Sequence, residues 1–195
     1  MITELLEKQN IFFHIYTLDK LVAQECKKKP CPYCGGPLHF ANYQRKPRGE
    51  PCELPDEYLT RFSLCCAKQG CRRRVMPPSC RFLGRKIYWF PVIICVVSDI
   101  QSLSLKFKDL KFPKHLQISR NTLVRWSLFF QDIFPQSPQW QSIRGLVSAK
   151  VKNDKLPLSL VDHFSKLKST LENALFSCLK FMSQGWNLEV KIRGG

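Results

Sequence analysis

The stretch "CPYCGG" (31–36), answered by "CCAKQGCRRR" (65–74), decides how this chain is built. Two cysteines separated by two residues place both sulfurs on one tight turn. A structural zinc takes four soft ligands in a tetrahedron, about 2.3 Å from each sulfur, usually as two such pairs. Gly35 and Gly36 let the backbone fold back beneath the first pair, Cys31 and Cys34. Cys66 and Cys71 are the best second pair, with Gly70 supplying the turn and a four-residue gap wider than the usual two. Cys65 is the rival of Cys66, because two adjacent cysteines rarely both reach one ion.

The competing reading is a set of ordinary buried thiols. Against it, a proline, a CxxC and a Gly-Gly arrive together in a polar stretch with little to bury them, so Zn2+ is the expected cofactor. A redox CxxC needs a strand before it and a helix after it, and Pro37 opposes that helix. His39 is a reserve ligand that reads better as a solvent-facing strand histidine. Cys26, Cys52, Cys80, Cys95 and Cys178 are spares. Of these, Cys95 and Cys178 sit on apolar stripes as small core residues, and Cys52 has no assigned role.

The 195 residues suffice for one ordinary domain or two small ones, and 44% hydrophobic with 12% aromatic content allows a real core. Lys and Arg number 31 against 15 Asp and Glu, a net of +16, which predicts a polyanionic partner. Nucleic acid is the first candidate and an anionic membrane surface the second. The excess is uneven: −2 over residues 1–25, +10 over 26–86, and +4 each over 87–125 and 126–195. The positive field centres on the cysteines. The start, "MITELLEKQN", is not a signal peptide. The longest apolar run, "IYWFPVIICVV" (87–97), is about half of a membrane span and holds Pro91. We therefore expect a soluble cytoplasmic protein, nucleoid-associated if bacterial, in a compartment where thiols stay reduced.

The expected fold class is α+β. It comprises a small zinc ribbon of short antiparallel strands, a mostly helical helix-turn-helix-like domain and a C-terminal amphipathic helix. Residues 1–29 form a helical lead in two short pieces, with Leu5, Leu6, Leu18, Leu21 and Val22 apolar. Residues 30–85 form the ribbon, with strands in "LHFANY" (38–43) and "RFSLC" (61–65) around a long Pro-rich loop. Residues 86–140 form the next, mostly helical unit. Periodicity alone cannot separate strand from helix over 86–100; helix is favoured, with Pro91 in its first turn. Ser119 should cap a helix whose stripe Leu123, Trp126, Phe130 and Ile133 faces the core, ending near Pro135, with Trp140 packed against it. In the region 141–195, Leu160, Phe164, Leu167, Leu171, Ala174, Cys178 and Met182 recur at helical spacing over about six turns. That face is either core or a homodimer seam, and "NLEVKI" (187–192) is a candidate closing strand.

The CxxC knuckle, the second pair running into "CRRR" (71–74), then "FLGRKI" (82–87) and an apolar segment resemble the N-terminal zinc ribbon of insertion-sequence transposases. "LQISRNTLVRW" (116–126) is similar to the start of their helix-turn-helix recognition helix. The resemblance covers about residues 30–135 and implies DNA binding. It departs from the family in the long segment 35–65 and in leaving no room for a catalytic domain with three acidic metal ligands. Beyond Trp126 the acids are Asp132, Asp154, Asp162, Glu172 and Glu189, in a helical tail.

On this reading Arg72, Arg73 and Arg74 leave the knuckle as an anchored strand, and Arg81, Arg85 and Lys86 continue a phosphate-binding field. A merely solvated charge run is the alternative. Arg120, Asn121 and Arg125 would meet base edges, with Lys111 and Lys114 on phosphates. A plain amphipathic helix with a wet polar face is the alternative there. The expected function is non-catalytic DNA binding of mobile-element origin, on double-stranded DNA, beside a recombinase partner. An RNA-binding or ribosome-associated ribbon protein is the competing reading. No acid pair, nucleophile–His–Asp arrangement or phosphate-cradling glycine loop favours an enzyme, and the histidines at 14, 39, 115 and 163 are scattered.

Overall fold

A computed structural model describes residues 4–5, 9–47, 54–83, 89–102 and 118–184. It is a mixed α+β arrangement in which short antiparallel strands precede a mostly helical region. In the lead segment a 3₁₀ stretch at residues 4–5 precedes α1 (Gln9–Lys28), which closes on Lys27 and Lys28 where cations suit the helix dipole. Its buried face is Ile11, Phe12, Ile15, Asp19 and Ala23, while Leu21 points to solvent. Leu5 and Leu18 join the core as well, and one core-facing position of α1 is a carboxylate.

The strands β1 (Leu38–Phe40), β2 (Tyr43–Gln44), β3 (Thr60–Arg61), β4 (Leu64–Cys66) and β5 (Arg74–Val75) form two antiparallel sheets. One has the order β1-β4-β5 and the other pairs β2 with β3. In the first, Leu38 lies opposite Cys66 and Phe40 opposite Leu64, while His39, Cys65 and Arg74 share one register row. Alternation along a strand sends these two sets to opposite faces. Leu38, Leu64 and Cys66 are buried, and His39 and Arg74 are exposed.

The helical region is built on α2 (Phe90–Ser102), with Pro91 in its first turn. Every residue from Phe90 to Ile100 is buried. A helix apolar on all sides must be surrounded, and each fully buried Val, Ile or Phe contributes roughly 1.5–3 kcal/mol. Around it lie α1, α3 (Arg120–Leu128), α4 (Pro138–Ile143), α5 (Leu158–Ser165) and α6 (Leu171–Gln184). Phe12 of α1 meets the Trp89 ring edge-on, at 5.6 Å between centroids.

Ser119 caps α3 as expected, its side chain accepting from the Thr122 amide. The helix then widens into a π-turn over Phe129–Ile133 before a 3₁₀ turn at Phe134–Gln136. The wider turn resets the stripe. Leu123, Trp126 and Phe130 face the core, but Ile133 is 61% exposed and Phe134 takes its place inside. Trp140 packs on Phe134, with centroids 5.5 Å apart.

The long C-terminal stripe is also broken, at residues 166–170. Thr170 Oγ1 accepts from the Asn173 amide and starts α6 as a new helix. Leu160, Ala174, Cys178 and Met182 reach the core, whereas Leu167 and Leu171 are exposed. Residues 187–192 lie outside the described residues.

Residues 103–117, between Ser102 of α2 and the start of α3, lie outside the described residues, and with them any first helix of a helix-turn-helix. The ribbon is not set apart from the helices. Asp19 on α1 receives Ser79 Oγ at 2.5 Å, the Cys80 amide at 2.7 Å and Arg81 Nε at 2.9 Å. Arg81 further donates to the carbonyls of Tyr58 and Thr60.

Candidate metal centre

Each half of the centre is a turn that its sequence compels. In the first, the Cys31 amide donates to Gly36 O and the Gly35 amide to Cys31 O, both at 2.8 Å. Gly35 has φ +71°, which side chains disfavour. Gly36 is needed for space: a Cβ there would stand 2.9 Å from Lys68 Cβ and 3.1 Å from Cys66 Sγ. In the second, the Cys71 amide donates to Lys68 O at 3.1 Å, and Gly70 has φ +86°. The wide Cys66–Cys71 gap closes because Arg72 also takes a positive φ, +45°, returning the chain so that Cys66 N reaches Arg73 O at 3.0 Å. A bond from the Ala67 amide to Pro37 O, 2.9 Å, ties the two turns together.

Cys31, Cys34, Cys66 and Cys71 present sulfurs that all lie within 4.8 Å of one another. Cys34 and Cys66 are 3.4 Å apart and Cys31 and Cys71 4.0 Å. These separations are too long for disulfides, which need about 2.05 Å. They bracket the edge of a tetrahedron with metal–sulfur bonds of about 2.3 Å, which is roughly 3.8 Å. The donor set therefore fits a tetrahedral thiophilic metal. Cys66, not Cys65, is the third member. Register decides it: Cys65 faces the other side of β4, where its Sγ lies 3.4 Å from the Arg72 carbonyl.

Burial pushes the Cys66 thiol up to about 12; the Lys68 amide opposes this, and the neighbouring thiols add to it. Metal binding must displace such protons, since thiolates are the ligands. Cys80, Cys95 and Cys178 are buried away from the cluster, and burial raises all three thiols. His39 is exposed and lies outside the cluster.

The basic residues divide. Arg72, Arg73 and Arg74 are exposed beside the second knuckle. The Arg73 guanidinium lies over the Tyr33 ring at 4.8 Å. That of Arg74 lies over Tyr43 at 5.4 Å, while its Nη1 donates to Ala41 O and Ser63 Oγ. Arg81 does not belong to this field. It is fully buried, held by the Asp19 carboxylate and two carbonyls, and enclosed by the rings of Tyr16, Phe62 and Phe82. Its charge serves the fold. Arg61 is buried as well, donating to the carbonyls of Phe62 and Pro77.

Arg120, Asn121 and Arg125 are exposed on α3, with Arg125 Nε donating to Asn121 O at 3.1 Å. Arg85, Lys86, Lys111 and Lys114 lie outside the described residues.

Sequence reasoning missed the aromatic partners of the cations. Tyr33, Phe40 and Tyr43 remain 51%, 42% and 40% exposed, and Lys27 Nζ sits 5.1 Å from the Phe40 ring centre. The sequence carries no local signal for these pairs, because Lys27, Arg73 and Arg74 lie far along the chain from the rings they meet.

Fold and site together define an α+β protein with a four-cysteine cluster suited to zinc, followed by a mostly helical region ending in a long helix. No known protein family, curated protein or solved structure matches the chain. Among the described residues no helix is long and apolar enough to cross a membrane.

Proposed function

We propose that the cluster is a structural zinc site and that the ribbon it closes is the nucleic-acid-binding surface of a non-catalytic protein. The observation that carries this reading is the exit of Arg72, Arg73 and Arg74, all exposed, directly from the second cysteine turn. A guanidinium whose backbone is fixed by the ion loses less entropy when it forks onto a phosphate than one on a free loop. When bound, zinc supplies a tetrahedral staple between two distant turns. Arg73 and Arg74 are further positioned by Tyr33 and Tyr43, and their cationic faces remain beside solvent.

The motif resemblance to insertion-sequence transposase ribbons supports DNA as the partner and an accessory role beside a recombinase. The exposed Arg120, Asn121 and Arg125 on α3 form the second contact element. Titration of labelled DNA at several salt concentrations tests the proposal. Contact with about six phosphates gives a slope near −5 in log affinity against log salt. Substituting Arg72, Arg73 and Arg74 together by Gln should reduce that slope by about three and weaken binding at every sequence tested. A flat salt response in zinc-loaded protein would overturn it. Tighter capture of RNA than DNA of equal length would keep the surface and change the partner.

A further inference from the structure

A surface meant only for duplex phosphates has no use for exposed rings, yet the ribbon keeps three. Tyr33, Phe40 and Tyr43 are each about half exposed. Each is matched to a cation: Arg73 on Tyr33, Lys27 on Phe40 and Arg74 on Tyr43. The three come from different elements: the first cysteine turn, the end of β1 and β2. Two of the cations are consecutive residues at β5, which is the last strand in the order β1-β4-β5. Thus the cationic run that leads into the edge strand β5 meets a ring from the first cysteine turn and one from β2.

Resting on the nucleic-acid reading above, we propose that the ribbon binds single-stranded nucleic acid in place of the duplex that motif resemblance favours. Phosphates follow Arg72, Arg73 and Arg74 along the segment that enters β5, and unpaired bases stack on Tyr33 and Tyr43. Paired cations and aromatic rings are the device by which proteins hold unstacked strands, because every base has a π face and a paired base hides its own. The guanidiniums serve twice, as phosphate donors and as planes that extend the tyrosine stack. The surrounding field is suited to a polyanion, since residues 26–86 carry a net charge of +10.

The test uses zinc-loaded full-length protein and fluorescence anisotropy at fixed salt, with oligo-dT, oligo-U and a mixed-sequence duplex carrying equal phosphate numbers. The expected order places at least one single strand about tenfold tighter than the duplex. Tyr33→Ala and Tyr43→Ala should each weaken the single strand about tenfold and leave the duplex unchanged. Tyr33→Phe and Tyr43→Phe, which keep the ring, should retain single-strand affinity and guard against misfolding of the alanine variants. A preference for oligo-dT or for oligo-U assigns the strand as DNA or RNA, and both support the proposal. Duplex binding tighter than either strand, or alanine variants that bind single strands normally while the triple Arg→Gln variant fails, would overturn this inference and leave the nucleic-acid reading standing. Absence of salt-dependent binding to all three probes would overturn both.

Discussion

Around α2, Trp89, Phe90, Ile94, Val97, Phe130, Trp140 and Leu179 are enclosed by helices from the whole length of the chain. Among the described residues, the cluster around the cysteines buries Cys31, Leu38, Leu64 and Cys66, with Cys26, Cys34, Cys71 and Val75 partly covered around them. Ordering each residue costs roughly 1–2 kcal/mol of backbone entropy, and a buried aliphatic side chain returns roughly 1.5–3. The helical region has enough such side chains to order itself. The ribbon does not. A structural zinc, with an apparent binding free energy on the order of 10 kcal/mol, is of the right size to make up the difference.

That contrast breaks first at the metal. Purified protein should carry one zinc per chain by elemental analysis. A strong chelator, or Cys34→Ser, should expose residues 31–75 to proteolysis while helical circular dichroism falls by less than about a fifth, because the α2 core does not depend on the ion. Collapse of the helical signal together with the ribbon would show that the two regions share one source of stability. The pH dependence has a definite sign. Burial raises the Cys66 thiol to about 12, so this thiol is protonated at neutral pH without metal and zinc competes with its proton. Affinity measured against a competing chelator should therefore fall as pH is lowered from 8 to 6, by at least about tenfold per unit. An affinity independent of pH would exclude thiolate ligation.

The seam between the regions supplies the next effect. Arg81 and Asp19 are both buried, and each satisfies the other. Asp19→Ala leaves a buried guanidinium without its counter-charge and should cost about 3–5 kcal/mol in urea unfolding. Because Asp19 also holds Ser79 and the Cys80 amide, the loss should lower the midpoint for both regions together. A ribbon-only effect would mean that the regions are coupled elsewhere.

The legibility of the two regions in the sequence was unequal for the same physical reason. Metal ligation is a local rule, so spacing and glycines alone placed Cys31, Cys34, Cys66 and Cys71 together. Even the choice of Cys66 over Cys65 needed only strand alternation, which the register supplied. Pro91 and Ser119 were readable because each acts within one turn. Arg81 was not. Whether an arginine faces water or a carboxylate sixty-two positions earlier depends on tertiary packing, and its place in a basic run pointed the wrong way. The break at Thr170 went unread, because the apolar stripe across 160–182 runs through it at helical spacing.

A smaller effect concerns the cap of α3. Ser119→Ala removes the acceptor for the Thr122 amide and should cost about 1 kcal/mol. Unlike chelation, it should leave zinc content unchanged.

The smallest expected effect, at Ile133, tests the shape of the helical region itself when set beside a large one at Phe130. A regular helix through residues 120–135 would place Phe130 and Ile133 on one stripe and make both essential. The π-turn separates them: Phe130 is fully buried and Ile133 is 61% exposed. Phe130→Ala should therefore cost about 3–5 kcal/mol through loss of buried surface and the cavity left behind. Ile133→Gln should shift the unfolding free energy by no more than about 0.5 kcal/mol, as exposed substitutions do. The ratio is the informative quantity, because it depends on the winding of one turn and not on the absolute stability of the protein. Comparable losses at the two positions would restore a regular helix, return Ile133 to the core and displace Phe134 from it. The core would then run along one stripe, Leu123, Trp126, Phe130 and Ile133, without the reset that the π-turn imposes after Phe130.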